Sequence, residues 1–169
     1  MNDVGSTPSA RFRMTAIISE RSECSLNSEL PHPTSEDIPA LGDLMLASYL
    51  GTPNEADAGQ TATSATAEIR RVFDGEYGKL ILEASFVVRD GNKPVATALV
   101  TSRQGEPLLA YVFTAPSHTG RGLARSLIGA SMNALAVQGH GRLNLAVTED
   151  NPRAWKLYES IGFQRFITA

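Results

Sequence analysis

The sequence predicts a mixed α/β fold, with helices layered on a mostly antiparallel sheet that contains one parallel strand pair. Three observations carry this. Three β-rich stretches between residues 84 and 114 follow one another with only short joints, as neighbouring antiparallel strands do. Beyond them a strand, a helix and a second strand alternate, and such a unit forces a parallel pair with a right-handed crossover. A chain of 169 residues, 42% hydrophobic and 20% charged, suits one domain of ordinary size and excludes wholesale disorder.

Residues 1–22 read as a flexible extension, polar and rich in small residues, ahead of a single domain over residues 23–169. Met14–Ser19 has the composition of a short strand, and reads equally well as leader sequence that packs on nothing. A strand is expected over Cys24–Leu30, stopped by Pro31 and Pro33. A helix follows. Thr34 with Asp37 three residues on is a capping box with Asp in place of Glu, and Pro39 sits in the first turn, where its missing N–H costs little. Ile38, Leu41, Met45 and Tyr49 recur at helical spacing until Gly51 and Pro53 end the run. Asn54–Gln60 is polar and acidic and reads as a loop, and a second helix runs from about Ala62 to Phe73.

Ala84–Arg89 is rich in β-formers, and Asp90-Gly91-Asn92 is a hairpin signal. The returning strand, Pro94–Ser102, alternates Val95, Thr97, Leu99 and Thr101 against Ala96, Ala98 and Val100. The near-continuous apolar run of Leu108–Thr114 predicts a strand buried on both faces. A glycine-containing loop leads into a helix from about Leu123 to Gln138, with Gly139 just past its end. Leu143–Val147 is the next strand. Asn151 and Pro152 are the N-cap and first residue of a last helix, Gly162 ends it, and Phe163–Ile167 is a short final strand.

Composition excludes several classes. The net charge of −3 disfavours a nucleic-acid binder and an anionic-membrane binder. One cysteine, Cys24, forbids an intrachain disulfide, and the three histidines give no zinc spacing. No apolar run reaches the roughly 18 residues of a membrane span, and the N-terminus lacks an apolar signal core. A soluble cytoplasmic protein, monomer or homodimer, is the expectation.

The loop from Thr119 to Arg125 carries the clearest chemistry. A glycine-rich turn from strand to helix presents bare backbone N–H groups at the positive end of a helix dipole, which is an anion site. Gly120 and Gly122 let backbone approach a phosphate closely, and Arg121 and Arg125 add charge. Taken alone, the loop reads more readily as a tight turn with solvated arginines. It matches neither the dinucleotide fingerprint nor the Walker loop, which discourages a nucleotide-phosphate binder.

Two motifs in order change that balance. Thr119-Gly120-Arg121-Gly122-Leu123-Ala124 resembles the acyl-CoA-binding pattern Gln/Arg-x-x-Gly-x-Gly/Ala of the GNAT superfamily of N-acetyltransferases, departing at Thr119. Downstream, the run from Asn151 to Phe163 meets each position of the family's N-x-x-A-x-x-L-Y-x-x-x-G-F, with Ala154, Leu157, Tyr158 and Gly162 in register. The resemblance covers about Cys24 to Ile167. It implies the family's fold, in which the strand before the loop splays from the next strand at a bulge. It also implies two strands after the last helix. Gln164–Ala169 suffices for one, and Met14–Ser19 is the candidate for another, in the same chain or across a dimer.

The resemblance further implies acetyl-CoA as acyl-donor cosubstrate, with no metal. Its pantetheine arm would lie against Val112, Phe113 and Thr114. Its pyrophosphate would lie on the backbone of Thr119, Gly120, Arg121, Gly122, Leu123, Ala124 and Arg125, with Asn151 adjacent. A backbone N–H near Val112 would act as oxyanion donor. Tyr158 matches the general acid that protonates the departing thiolate. By itself it reads as a core aromatic, as Asn151 reads as an N-cap. His118 is a loop histidine within reach of a phosphate, and Trp155 lies off the Tyr158 face. The general base is not legible: Glu76, Glu83 and Glu55 read as surface charges, and Glu55, Asp57 and Asp74 suit a cationic acceptor only weakly. Tyr111 and Phe113, with the first two helices and their loop, are the candidates to shape the acceptor pocket. The implied activity is acetyl transfer to a primary amine of a small molecule or peptide by direct attack. The alternative is a non-catalytic acyl-CoA-binding or protein-interaction module on the same fold.

Overall fold

The computed structural model describes residues 9–18 and 29–166. Strands β1 (Arg11–Ile17), β2 (Lys79–Leu80), β3 (Phe86–Asp90), β4 (Lys93–Arg103), β5 (Glu106–Thr114), β6 (Arg142–Thr148) and β7 (Gln164–Arg165) form one sheet in the order β2-β4-β5-β6-β1-β7, with β3 also on β4. The helices are α1 (Ile38–Tyr49), the short α2 (Glu55–Ala58), α3 (Ala62–Phe73), α4 (Leu123–Val137) and α5 (Pro152–Ile161). Every pairing is antiparallel except β5 with β6. The expected Cys24–Leu30 strand falls mostly outside the described residues, and Glu29 and Leu30 have no regular structure. Asn54–Gln60 is not wholly loop, because Glu55–Ala58 closes one helical turn.

The most buried strand is β4, not β5. Val95 through Thr101 are buried without interruption. Ala96, Ala98 and Val100 face the core beneath α4, while Leu99 faces α1 and α3. Its threonines survive there because Thr97 Oγ1 donates to Phe86 O at 2.8 Å and Thr101 Oγ1 to Tyr77 O at 3.0 Å. In β5, by contrast, Ala110, Tyr111, Val112 and Thr114 are only half-buried. Its apolar run lines open space, which a hydrophobicity pattern does not distinguish from core.

Helix α1 packs closely on α3. A Cβ on Gly42 would fall 2.7 Å from the Thr66 Cα, so only glycine allows this approach. The start of α1 is pinned to β3. Thr34 N donates to Asp37 Oδ2 at 2.8 Å and Arg89 donates to Asp37 Oδ1 at 2.6 Å. Burial alone would raise the Asp37 carboxyl, but the Thr34 amide and the Arg89 guanidinium outweigh it and hold it below the usual range.

Strand β1 lies inside the sheet, antiparallel to β6 on one side and β7 on the other. Met14 and Ala16 are fully buried against Leu143 and Leu145. The alternate residues, Arg11, Arg13 and Thr15, sit on the opposite face. Helices α1 and α3 cover that face over β4 and β5 and leave it open over β6 and β1.

Candidate active site

Strand β5 separates from β6 after only two paired positions, Leu108 with Asn144 and Leu109 with Leu145. The cause is visible on its other edge. Leu99 pairs with Tyr111 and Val100 with Leu109, so Ala110 is an extra residue and the strand bends there. From Ala110 onward the β6-facing edge of β5 is a free edge beside a gap.

A cleft of about 630 Å³ opens at this gap, within the range of about 300–1,000 Å³ usual for ligand sites. Val112, Phe113 and Thr114 form one wall and the loop before α4 forms another. Gly120 and Gly122 have φ of 77° and 73°, a region costly for other residues. Gly122 is the N-cap of α4, and a Cβ at either glycine would meet nothing within 4 Å. The loop therefore turns its backbone to open space at a helix N-terminus, as an anion cradle requires. Leu123, Ala124, Arg125 and Asn151 also line the cleft, whereas Arg121 is exposed and does not. Thr119 Oγ1 donates to Pro116 O at 3.1 Å, so the departure from the family pattern serves the turn itself. His118 is held between Ser117 and Asp90, at 2.7 and 3.1 Å. The Phe113 side chain is buried, edge-on to Tyr49 and Tyr111.

Tyr158 projects from α5 to the floor of the cleft, its ring edge-on to Phe163. Among the described residues its hydroxyl has no hydrogen-bond partner, and burial pushes it up to about 12. Helix α5 is set by Asn151, whose Oδ1 accepts from Ala154 N at 3.2 Å. Trp155 is structural: it stacks on the Arg165 guanidinium and donates to Glu149 O at 3.3 Å.

Beyond Tyr158, between β5 and β6, lies a throat of about 130 Å³ that shares Tyr49, Val112 and Tyr158 with the cleft and is lined also by Arg11, Asp57 and Tyr111. Arg11, Asp57 and Tyr111 also line a chamber of about 350 Å³ on the open face of the sheet. There the buried Glu68 accepts from Tyr77 at 2.6 Å, Tyr111 at 2.7 Å and Arg71 at 3.1 Å. Burial and then Glu68 push the Tyr111 hydroxyl up strongly. Asp57 pairs with Arg11 and accepts from Asn54 at 3.0 Å. Sequence reasoning missed Tyr49, Glu68 and Arg11 as site residues. Tyr49 and Glu68 lie on helix stripes like any core or surface residue, and Arg11 belongs to a strand with no local functional signal. Among the described residues no group of His, Cys, Asp and Glu side chains is placed to hold a metal ion, and no helix is long and apolar enough to cross a membrane.

The model of the acetyltransferase (GNAT) family matches residues 59–163, from the end of α2 through the α5 floor. The chain belongs to the GNAT acetyltransferase family. Over 63 residues it is 41% identical to a mycothiol acetyltransferase of Kocuria rhizophila, a match covering 36% of this chain and 21% of that one. Its fold resembles a GCN5-related N-acetyltransferase of Sphaerobacter thermophilus, with a TM-score of 0.63, 15% identity, and coverage of 95% of this chain and 50% of that one. It also resembles a PaiA N-acetyltransferase of Thermoplasma acidophilum solved with coenzyme A, with a TM-score of 0.61, 14% identity, and coverage of 83% and 92%. This GNAT chain thus spans about half of the Sphaerobacter protein and a fifth of the Kocuria one.

Proposed function

We propose that this protein moves the acetyl group of acetyl-CoA to a primary amine by direct attack within a ternary complex. The observation that carries the reading is the Tyr158 hydroxyl, without a protein partner among the described residues, at the junction between the anion-cradling cleft and a separate chamber. Such a phenol is a proton donor aimed at the point where two substrates meet. The family membership and the CoA-bound Thermoplasma neighbour support acetyl-CoA as the donor.

The chain's residues divide the work. The amides around Gly120 and Gly122 hold the pyrophosphate through unpaired donors and the α4 dipole. The free edge of β5 at Val112–Thr114 holds the pantetheine arm, and an N–H near Val112 polarises the thioester carbonyl. The acceptor enters from the chamber, and Asp57 faces its ammonium at the throat. The ammonium sheds one proton to solvent as it enters. Its nitrogen then bonds to the acetyl carbon, the carbon–sulfur bond breaks, and the Tyr158 proton goes to sulfur. The proton still surplus on nitrogen restores the phenol, so the turnover releases one proton.

The test is CoA-thiol release from acetyl-CoA against a panel of primary amines, with the melting temperature recorded with and without acetyl-CoA. A raised melting temperature and amine-dependent release are expected, because a ligand of the folded state alone stabilises it. A shift without release for any amine is the result of a non-catalytic module.

A further inference from the structure

We propose that the acceptor is a small primary amine that also carries an anionic group, a carboxylate or a phosphate, held by Arg103 and Arg13. The inference rests on the acetyl-transfer reading and names its substrate class. Past the chamber the open face continues. Arg103, Leu108 and Ala146 line both the chamber and a further groove of about 520 Å³ along β5, β6 and β1. Cleft, throat, chamber and groove therefore lie in a row from the anion cradle to the far end of the sheet, each sharing lining residues with the next.

Charge along that row is uneven. Near the throat each carboxylate is matched: Asp57 by Arg11, Glu68 by Arg71 and two phenols. In the groove the balance is reversed. It is lined by three arginines, Arg13, Arg103 and Arg142, and by one carboxylate, Glu106, which lies 3.8 Å from Arg142. Arg13 and Arg103 make no ion pair or side-chain hydrogen bond among the described residues, in a chain whose net charge is −3. Two guanidiniums without an acidic partner, one from β1 and one from the end of β4, lining the same groove, suit an oxyanion, which they bind in forked geometry.

The floor of the groove is organised as well. Asn144 accepts from Thr15 Oγ1 at 2.7 Å and donates to Pro107 O at 3.3 Å, tying β1, β6 and β5 together across the open face. The groove is thus a firm surface. Its arginines come from β1 and from the β4 end, beyond the chamber as seen from the throat. An acceptor with its amine at Tyr158 and Asp57 would direct its other end toward them.

The experiment measures CoA-thiol release at low ionic strength with matched amines: γ-aminobutyrate against aminobutanol and putrescine, and O-phosphoethanolamine against ethanolamine. The anionic member of each set is expected to have a kcat/KM higher by roughly tenfold or more, with the advantage shrinking as salt is added. Comparing the two sets shows whether carboxylate or phosphate is preferred. Arg103→Glu and Arg13→Glu should each collapse the ratio of anionic to neutral amine, and Arg103→Gln should lower it less. Equal or better turnover of the neutral or cationic amines overturns the proposal, as does a ratio unmoved by charge reversal. If acetyl-CoA raises the melting temperature and neutral or cationic amines are acetylated but no anionic amine is, the acceptor class alone is wrong. If acetyl-CoA produces no shift, the donor reading fails and this one with it.

Discussion

The side-chain amide of Asn151 donates to Asn54 Oδ1 at 2.8 Å while its own Oδ1 caps α5. Asn54 in turn holds Asp57, and Asp57 pairs with Arg11 of β1. One chain of polar contacts therefore joins the helix that carries Tyr158, the α2 segment at the throat and the N-terminal strand. Asn151→Ala removes the cap and should cost about 1 kcal/mol of stability. Asn54→Ala leaves the cap in place, so it should cost less stability yet raise the KM for amine. Thermal denaturation and steady-state kinetics on the pair check this, and the opposite order would contradict it.

Gly122→Val tests the cradle. A Cβ there meets no neighbour, so the fold should persist, weakened by the roughly 1–2 kcal/mol that a left-handed backbone costs an L-residue. The added side chain points into the space where the phosphates would lie. The expected outcome is a folded protein whose melting temperature no longer responds to acetyl-CoA. A full response would show that the loop is only a turn.

Met14→Ala tests the place of β1. Met14 is fully buried in the core shared with β6 and α4. Truncating it should cost about 2–5 kcal/mol, as for other buried large-to-small changes. A loss under about 0.5 kcal/mol in urea unfolding would mean that the strand is dispensable.

All four tyrosines are held protonated by the fold. Burial pushes up Tyr49, Tyr111 and Tyr158, and the Glu68 hydrogen bond is the main cause at Tyr77. In the unfolded chain they ionise near pH 10. Their contribution to stability is therefore complete below about pH 10 and declines above it, because the unfolded state then loses protons that the folded state keeps. Ultraviolet titration should show little phenolate until above pH 10, and the melting temperature should fall across that range. Normal titration of the tyrosines with no loss of stability would contradict these surroundings.

Much of this was legible in the sequence, for physical reasons. The α4 and α5 boundaries follow from Gly122, Asn151, Pro152 and Gly162, which act locally through backbone conformation and capping. The faces of β4 follow from simple alternation. The bulge at Ala110 and the divergence of β5 from β6 were expected only through the family resemblance, because both are set by long-range pairing that no local pattern encodes, and the apolar run of β5 by itself pointed to burial on both faces. On the acceptor side Tyr111 and Asp57 were candidates, but Glu68 and Arg11 were not, because the four residues come from separate elements and meet only after the sheet has formed.

The most direct test of the central claim is the single-turnover rate of acetyl transfer in Tyr158→Phe. The ring and its contact with Phe163 remain, so acetyl-CoA should bind nearly as tightly as to the parent protein. Only the proton donor is removed, and the rate of the chemical step should fall by about 10²–10⁴-fold. A rate close to that of the parent, measured where chemistry limits turnover, would contradict the assignment and leave Tyr158 a packing residue.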